Sequence, residues 1–245
     1  MHPRYGRRLP LTAAQGLFVA RASWTVPAAT VVSSMTLHAF SGPRAIPFFI
    51  SETDHLGPQD TVFTLGLTLT GLLQMLYAWH LYHTLEAERP RMWLFSTLVG
   101  IFAAMNTVLV SHLDMYDFIN PHIATAMFAF GGGLIWVLLA QRALGDNAVP
   151  RGRALRRFGF LTALTGFIVM VISFQWAAAG VDSANLTTEA FLNEAQIGIN
   201  IAAPAEYVLV AGLLFCLASF RAELVAAIEP STNQQDYMKR ATVLP

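Results

Sequence analysis

Ser51, Glu52, Thr53, Asp54 and His55 fill five consecutive positions within the stretch from Pro47 to Pro58. The crowding of hydroxyl, carboxylate and imidazole is unusual in a chain of 245 residues of which 12% are charged. Histidine nitrogens and carboxylate oxygens can ligate a zinc-type ion. They are also the two halves of a general acid–base pair. Groups of the same kind stand at the matching ends of other apolar runs: His38, His112 and His122, with Asp114 and Asp117 between the last two. The candidate binding residues are Ser51, Glu52, Asp54, His38, His112, His122 and Glu206. The candidates for a catalytic role, which the pattern leaves unassigned, are His122, Glu206 and Glu52. A plainer reading competes: histidines near a membrane interface often satisfy only loop carbonyls and headgroups.

Glu206 is the most informative single residue. It lies about eleven residues into the last apolar run, which at 1.5 Å per residue takes it toward the middle of a bilayer. A carboxylate there costs about 2.5–3.5 kcal/mol on insertion scales, so it should face the bundle interior with a partner or carry a proton. Pro204 frees backbone groups nearby. Asn106 is a candidate partner at membrane depth, while Asn200 falls on a different face. Structural bonding and ligand or proton handling both remain open for Glu206.

Elsewhere the signals are weaker. His80 and His83, three residues apart on one helical face, could begin a metal site, but no third ligand stands near them. Gly131-Gly132-Gly133 permits close helix approach and lacks the strand and turn of a nucleotide loop. The lone cysteine, Cys216, excludes an intrachain disulfide and a cysteine-cluster metal site. No motif implies a cofactor.

The elements that must position these groups follow from composition. The chain is 55% hydrophobic with a mean hydropathy of +0.50, and its apolar residues come in blocks, as in a chain whose solvent is lipid. Six blocks reach the ~20 residues needed to cross a bilayer, at about 17–39, 61–83, 92–112, 121–143, 156–178 and 195–219. Gly57-Pro58, Pro90, Pro121, Gly145, Pro150 and Gly180 punctuate them. The expectation is an all-α polytopic membrane protein, a single six-helix bundle over residues 1–226 with a short polar tail at 227–245. The first block reads as an uncleaved signal anchor behind Arg4, Arg7 and Arg8. Net charge is zero, which excludes a nucleic-acid footprint.

Basic residues set the orientation. With the N-terminus cytoplasmic, Arg4, Arg7, Arg8, Arg89, Arg91, Arg142, Arg151, Arg153, Arg156, Arg157, Arg221, Lys239 and Arg240 share that side, and so do both termini. Arg21 snorkels toward it, and only Arg44 lies opposite. The non-cytoplasmic connections instead hold Glu52, Asp54, Asp60, Asp114, Asp117, Asp182, Glu189 and Glu194. Trp79, Trp93 and Trp176 are expected at the interfaces. Asn185-Leu186-Thr187 is a glycosylation sequon.

Pro47-Phe48-Phe49-Ile50-Ser51-Glu52-Thr53-Asp54, closing at Pro58, is similar to a Pro-Phe/Tyr-Ile-Ser-Asp-Thr-Gly segment between the first two helices of one family. His122-Ile123-Ala124-Thr125-Ala126 is similar to its His-Asp-x-Gly-Ala segment, Ala205-Glu206-Tyr207 to its Cys-Glu-Trp step, and Ser219-Phe220 to its Thr-Phe close. Trp24 matches a tryptophan of its first helix. In this order the chain, over about residues 20–224, resembles the six-pass membrane family named for FRAG, DRAM and SFK. Two departures stand out: Asp54 takes the place of the turn glycine, and the aspartate after His122 is missing. The resemblance implies membrane-lipid handling or scaffolding, as in lysosomal modulators of autophagy, Golgi factors for lipid-anchor remodelling and plasma-membrane proteins that affect phosphoinositide kinases. It transfers no catalytic residue set.

The leading expectation is a lipid-associated regulatory or scaffolding protein with a polar pocket on the non-cytoplasmic side. Its partners would be membrane lipids and other membrane proteins. The rivals are an intramembrane lipid hydrolase or acyltransferase using His122 and Glu206, and a structural subunit of a larger membrane complex.

Overall fold

In the computed structural model the apolar runs fold as helices, and no strand occurs among the described residues, 11–182 and 185–228. The helices are α1 (Ala13–Phe40), α2 (Pro58–Thr84), α3 (Pro90–Val110), α4 (Ile119–Leu144), α5 (Pro150–Ala178), the short α6 (Thr188–Glu194) and α7 (Gln196–Ser219). A 3-10 turn, Ile50–Thr53, lies between α1 and α2. The polar tail expected at 227–245 lies almost wholly outside the described residues, as do Arg4, Arg7 and Arg8.

Local chemistry explains where these helices begin. Thr12 opens α1 with a capping box: its side chain accepts from the Gln15 N–H (3.3 Å), and Gln15 Oε1 accepts from the Thr12 N–H (2.9 Å). Pro58, Pro90 and Pro150 open α2, α3 and α5 at the position where a missing N–H costs nothing. Gly57 precedes Pro58 with φ 143°, a conformation closed to side-chain-bearing residues. Thr187, the last residue of the sequon, caps α6 by accepting from the Ala190 N–H (3.3 Å).

Among the described residues five helices are long and apolar enough to cross a membrane: α2, α3, α4 with its short extension, α5, and α7 continued to Ile228. α1 has 28 residues but is not among them; Arg21, His38 and several serines and threonines dilute its apolarity. Outward faces carry large apolar side chains, including Phe18 (69% exposed), Leu65 (67%), Leu161 (62%) and Ile172 (63%). Such a surface suits hydrocarbon rather than water. Trp79 and Trp176 are exposed as interfacial anchors would be, whereas Trp93 is buried, contrary to expectation, packed in the core at 3% exposure.

Lipid gives helices no hydrophobic reason to associate, so small residues must let backbones touch. α5 and α7 form the tightest pair. A Cβ added at Gly166 would come within 2.6 Å of Ala205 O, and one at Gly212 within 2.4 Å of Ala163 N. α3 packs on α4 and α2 on both α1 and α3, while α4 touches α5 and α7 only lightly. The expected glycine run divides its work: Gly132 lets α4 approach Ala103 of α3, whereas Gly131 and Gly133 meet only distant side chains.

At the bundle end opposite the Pro47–Pro58 stretch, Arg156 is 1% exposed. Its guanidinium donates to Glu223 (2.5 Å), Ser219 (3.2 Å) and Gln141 (2.8 Å) and lies 4.2 Å over the Phe220 ring. Arg156 is therefore no freely solvated surface charge. The Cys216 Sγ packs against the Arg156 carbonyl (3.7 Å), buried as its type suggests.

Candidate functional site

The first connection folds back into the bundle rather than lying across it. Phe48, Phe49, Ile50, Glu52, Thr53 and Asp54 are all buried. Three polar side chains of α7 hold the segment by its backbone. Glu206 accepts from the Ile50 N–H (2.7 Å), the Tyr207 hydroxyl donates to the Phe48 carbonyl, and Gln196 Nε2 donates to the Pro47 carbonyl (3.1 Å). Buried backbone groups need partners, and at Ile50 the helix α7 carboxylate supplies one. Thr53 closes the turn by donating to the Ile50 carbonyl (2.7 Å).

Glu52 is fully buried and turned the other way. It accepts from the Phe49 N–H (2.9 Å) and from Arg44 through Nε and Nη2, with the ion pair at 3.0 Å. Arg44, its side chain 4% exposed, also donates to Asn193 (3.1 Å) and Gln196 (2.6 Å). This fork ties the first connection to α6 and α7 and forms one charge-assisted network. Burial raises the Glu52 carboxyl above its ordinary range, opposed by the Phe49 N–H and the Arg44 charge.

The other candidates are distributed around this clasp. Ser51 donates to Met115 Sδ (3.1 Å). His122, 2% exposed, contacts the Leu113 carbonyl through Nδ1 (2.5 Å), which makes that nitrogen the donor. His38 is buried at the end of α1 with neither ring nitrogen bonded, its ring edge-on to Phe48 at 4.7 Å. His112 is exposed and pairs with Thr68 (3.0 Å), away from the clasp. His55 packs on Tyr116 (4.7 Å). Asn106, a proposed partner for Glu206, instead bonds the Phe102 carbonyl of its own helix (2.9 Å), and Asn200 accepts from Gln196 (2.9 Å). His80 is buried against Gly16, and His83 packs on Trp79 (4.4 Å). Among the described residues no three His, Cys, Asp or Glu side chains converge as metal ligands would.

Asp54 has the most perturbed chemistry of the connection. It is 3% exposed, and its Oδ2 has no hydrogen-bond partner. Burial is the main cause, followed by the Asp60 carboxyl and the Asp114 charge; together they push its pKa from an ordinary 3.8 up to about 8. The folded chain therefore keeps a proton that the unfolded chain releases above about pH 4. The resulting stability is complete below that pH and is lost as pH rises through about 8. Thermal unfolding between pH 5 and 8.5 should show stability falling by up to ~1.4 kcal/mol per pH unit. Asp54→Asn, which stays neutral, should flatten that slope. An unchanged slope would refute the assignment.

Below the clasp lies a cavity of about 270 Å³. Ser51, His122 and Glu206 line it, together with Met127, Phe130, Met170, Phe174 and Leu213. It separates the α3–α4 pair from the α5–α7 pair, which is why α4 barely meets α5 and α7.

Apolar outward faces, helices of bilayer-crossing length and an internal polar clasp define an integral, multi-pass, all-helical membrane protein. The chain belongs to the Frag1/DRAM/Sfk1/Cwh43P N-terminal domain family, whose model matches residues 11–226. No curated protein and no solved structure gives a significant match.

Ser51, Glu52, His122 and Glu206, named from the sequence, are each hydrogen-bonded around the clasp, but Arg44, Gln196, Tyr207 and the Arg156–Glu223 pair carry as much of the bonding. Arg44 had one visible clue. It is the only basic residue expected among eight acids, and it stands eight residues from Glu52.

Proposed function

We propose that the chain is a lipid-associated regulatory or scaffolding membrane protein and not a catalyst. All six long helices cross the bilayer, both termini are cytoplasmic, and the clasp and cavity mouth lie near the non-cytoplasmic face. α1 crosses despite its modest apolarity, with exposed Arg21 reaching back to the cytoplasmic interface. Membrane lipids are its partners, with other membrane proteins on its outer surface.

One observation carries this reading. Glu52, His122 and Glu206 are each bonded to a different group, Arg44, the Leu113 carbonyl and the Ile50 N–H, and none hydrogen-bonds another. A hydrolase or acyltransferase built on His122 and Glu206 needs a base oriented by its acid and a nucleophile within reach. The geometry instead supports a scaffold that keeps its first connection docked.

Purification in native membrane particles, with quantitative lipid and metal analysis, tests the proposal. Selective enrichment of lipid over the surrounding membrane is expected, with metal well below one per chain. Stoichiometric metal, or lipid matching the bulk membrane, would overturn it. In the same preparations Glu206→Gln should keep an acceptor for the Ile50 N–H and unfold like the wild type. Glu206→Leu leaves that N–H unpaired and should lose about 1–3 kcal/mol. Equal stability of the two variants would show that Glu206 does not hold the segment.

A further inference from the structure

We propose that the cavity beneath the clasp holds a single-chain, uncharged lipid with a hydroxyl head, of the monoacylglycerol type. The head lies at Ser51, His122 and Glu206, and the chain runs between α4 and the α5–α7 pair. The inference rests on the lipid-associated reading above and names the ligand class for it.

Size sets the chain number. At about 270 Å³ the cavity falls just under the range of ligand pockets, roughly 300–1,000 Å³. It takes the head and the first part of one chain, roughly nine units at about 30 Å³ each. The rest leaves between α4 and the α5–α7 pair, and there is no room for the second chain of a phospholipid. The walls are apolar, and Met127 and Met170 add side chains that can adapt to a flexible occupant. Left unfilled, such a space would forfeit dispersion contacts on every side, and the surrounding bilayer offers acyl chains to fill it. A side door exists: α4 touches α5 and α7 only lightly, and Gly131 and Gly133 remove side chains from that wall.

The mouth sets the head group. His122 Nδ1 donates to the Leu113 carbonyl, so in the neutral ring Nε2 is an acceptor. Ser51 uses its proton on Met115 Sδ and keeps its lone pairs. Glu206 contributes a carboxyl whose Oε2 already accepts from the Ile50 N–H. Acceptors therefore dominate the mouth, and they complement a hydroxyl that donates. Among the described residues no lysine or arginine lines the cavity. A fatty acid or phosphate head would bring a negative charge beside Glu206 with no cation to neutralise it.

Photo-crosslinking tests the assignment on the full chain in phosphatidylcholine nanodiscs. The probes are a monoacylglycerol and a fatty acid bearing the same diazirine tail, and mass spectrometry locates the adducts. The monoacylglycerol should label Met127, Phe130 or Met170, with the fatty acid at least about tenfold weaker at pH 7.5, given the cost of an unpaired charge. Gly133→Leu points a side chain into the cavity, where its Cβ meets Leu213 at an ordinary 3.5 Å. That variant should cut cavity labelling severalfold while unfolding like the wild type. If it fails to fold, Ala126→Leu, on another stretch of the lining, makes the same test. Equal labelling by the two probes would overturn the head-group assignment and leave the lipid-associated reading standing. Adducts confined to outward residues such as Leu161, or labelling indifferent to both substitutions, would overturn the cavity site. Failure of the broader reading shows separately, as native particles whose lipid matches the bulk membrane.

Discussion

Glu52→Leu is expected to cost about 3–5 kcal/mol, the usual penalty for removing one partner of a buried ion pair. The reason is what remains behind. Arg44 is 4% exposed on its side chain and would keep its charge facing neutral oxygens such as the Asn193 and Gln196 amides. The Phe49 N–H would lose its acceptor as well. Arg44→Met should be costly for the converse reason, stranding a carboxylate that is fully buried. The double variant should recover part of the loss, because an absent pair strands nothing. Recovery should be incomplete, since Gln196 and Asn193 also lose their donor. Thermal unfolding of the four proteins in one detergent gives the cycle. A Glu52→Leu variant within ~0.5 kcal/mol of the wild type would place it with ordinary surface changes and dismiss the clasp as a source of stability.

Gly212→Leu should be the second large effect, and it acts through the backbone. The added Cβ would sit 2.4 Å from Ala163 N and 2.6 Å from Gly159 O. Neither is a side chain that can swing aside, so α5 and α7 must move apart along their tightest contact. Overpacking of this kind costs about 1–3 kcal/mol and occasionally more. In lipid it also forfeits the close van der Waals fit that holds such helices together. The same separation loosens one wall of the cavity. Gly133→Leu, whose Cβ meets nothing closer than 3.5 Å, is the internal comparison and should unfold near the wild type. Faster amide exchange along α5 in Gly212→Leu alone would report the separation. Equal melting temperatures for the two leucine variants would refute it.

Membrane residence and helical class were legible in the chain itself. A bilayer accepts only segments that satisfy their own backbone, so blocks of ~20 apolar residues can hardly mean anything else. Breakers were legible too, because Pro58, Pro90 and Pro150 have one good place in a helix, its first turn. Ser51, Glu52, His122 and Glu206 stood out by polarity in an apolar setting, and the order of the motifs along the chain pointed to the family whose model matches residues 11–226.

Only the tertiary structure decided who meets whom. Position along a helix gives the depth of Glu206 but not the face it presents, so Asn106 looked as suitable a partner as any. The Ile50 N–H that Glu206 holds could be found only once the first connection was seen to descend into the bundle. His112 and His122 sit ten positions apart with similar surroundings in sequence, yet one pairs at the exposed end of α3 and the other is buried at the cavity. Arg156 is one of many basic residues assigned to the cytoplasmic side by the sequence, and only packing shows it buried against Glu223 and Phe220. The physical cause is the same in each case. Transfer from water to lipid is an additive property of residues, which a linear chain displays. Pairing is a property of approach between segments, and small residues such as Gly132, Gly166 and Gly212 set that approach without revealing which helix they will meet.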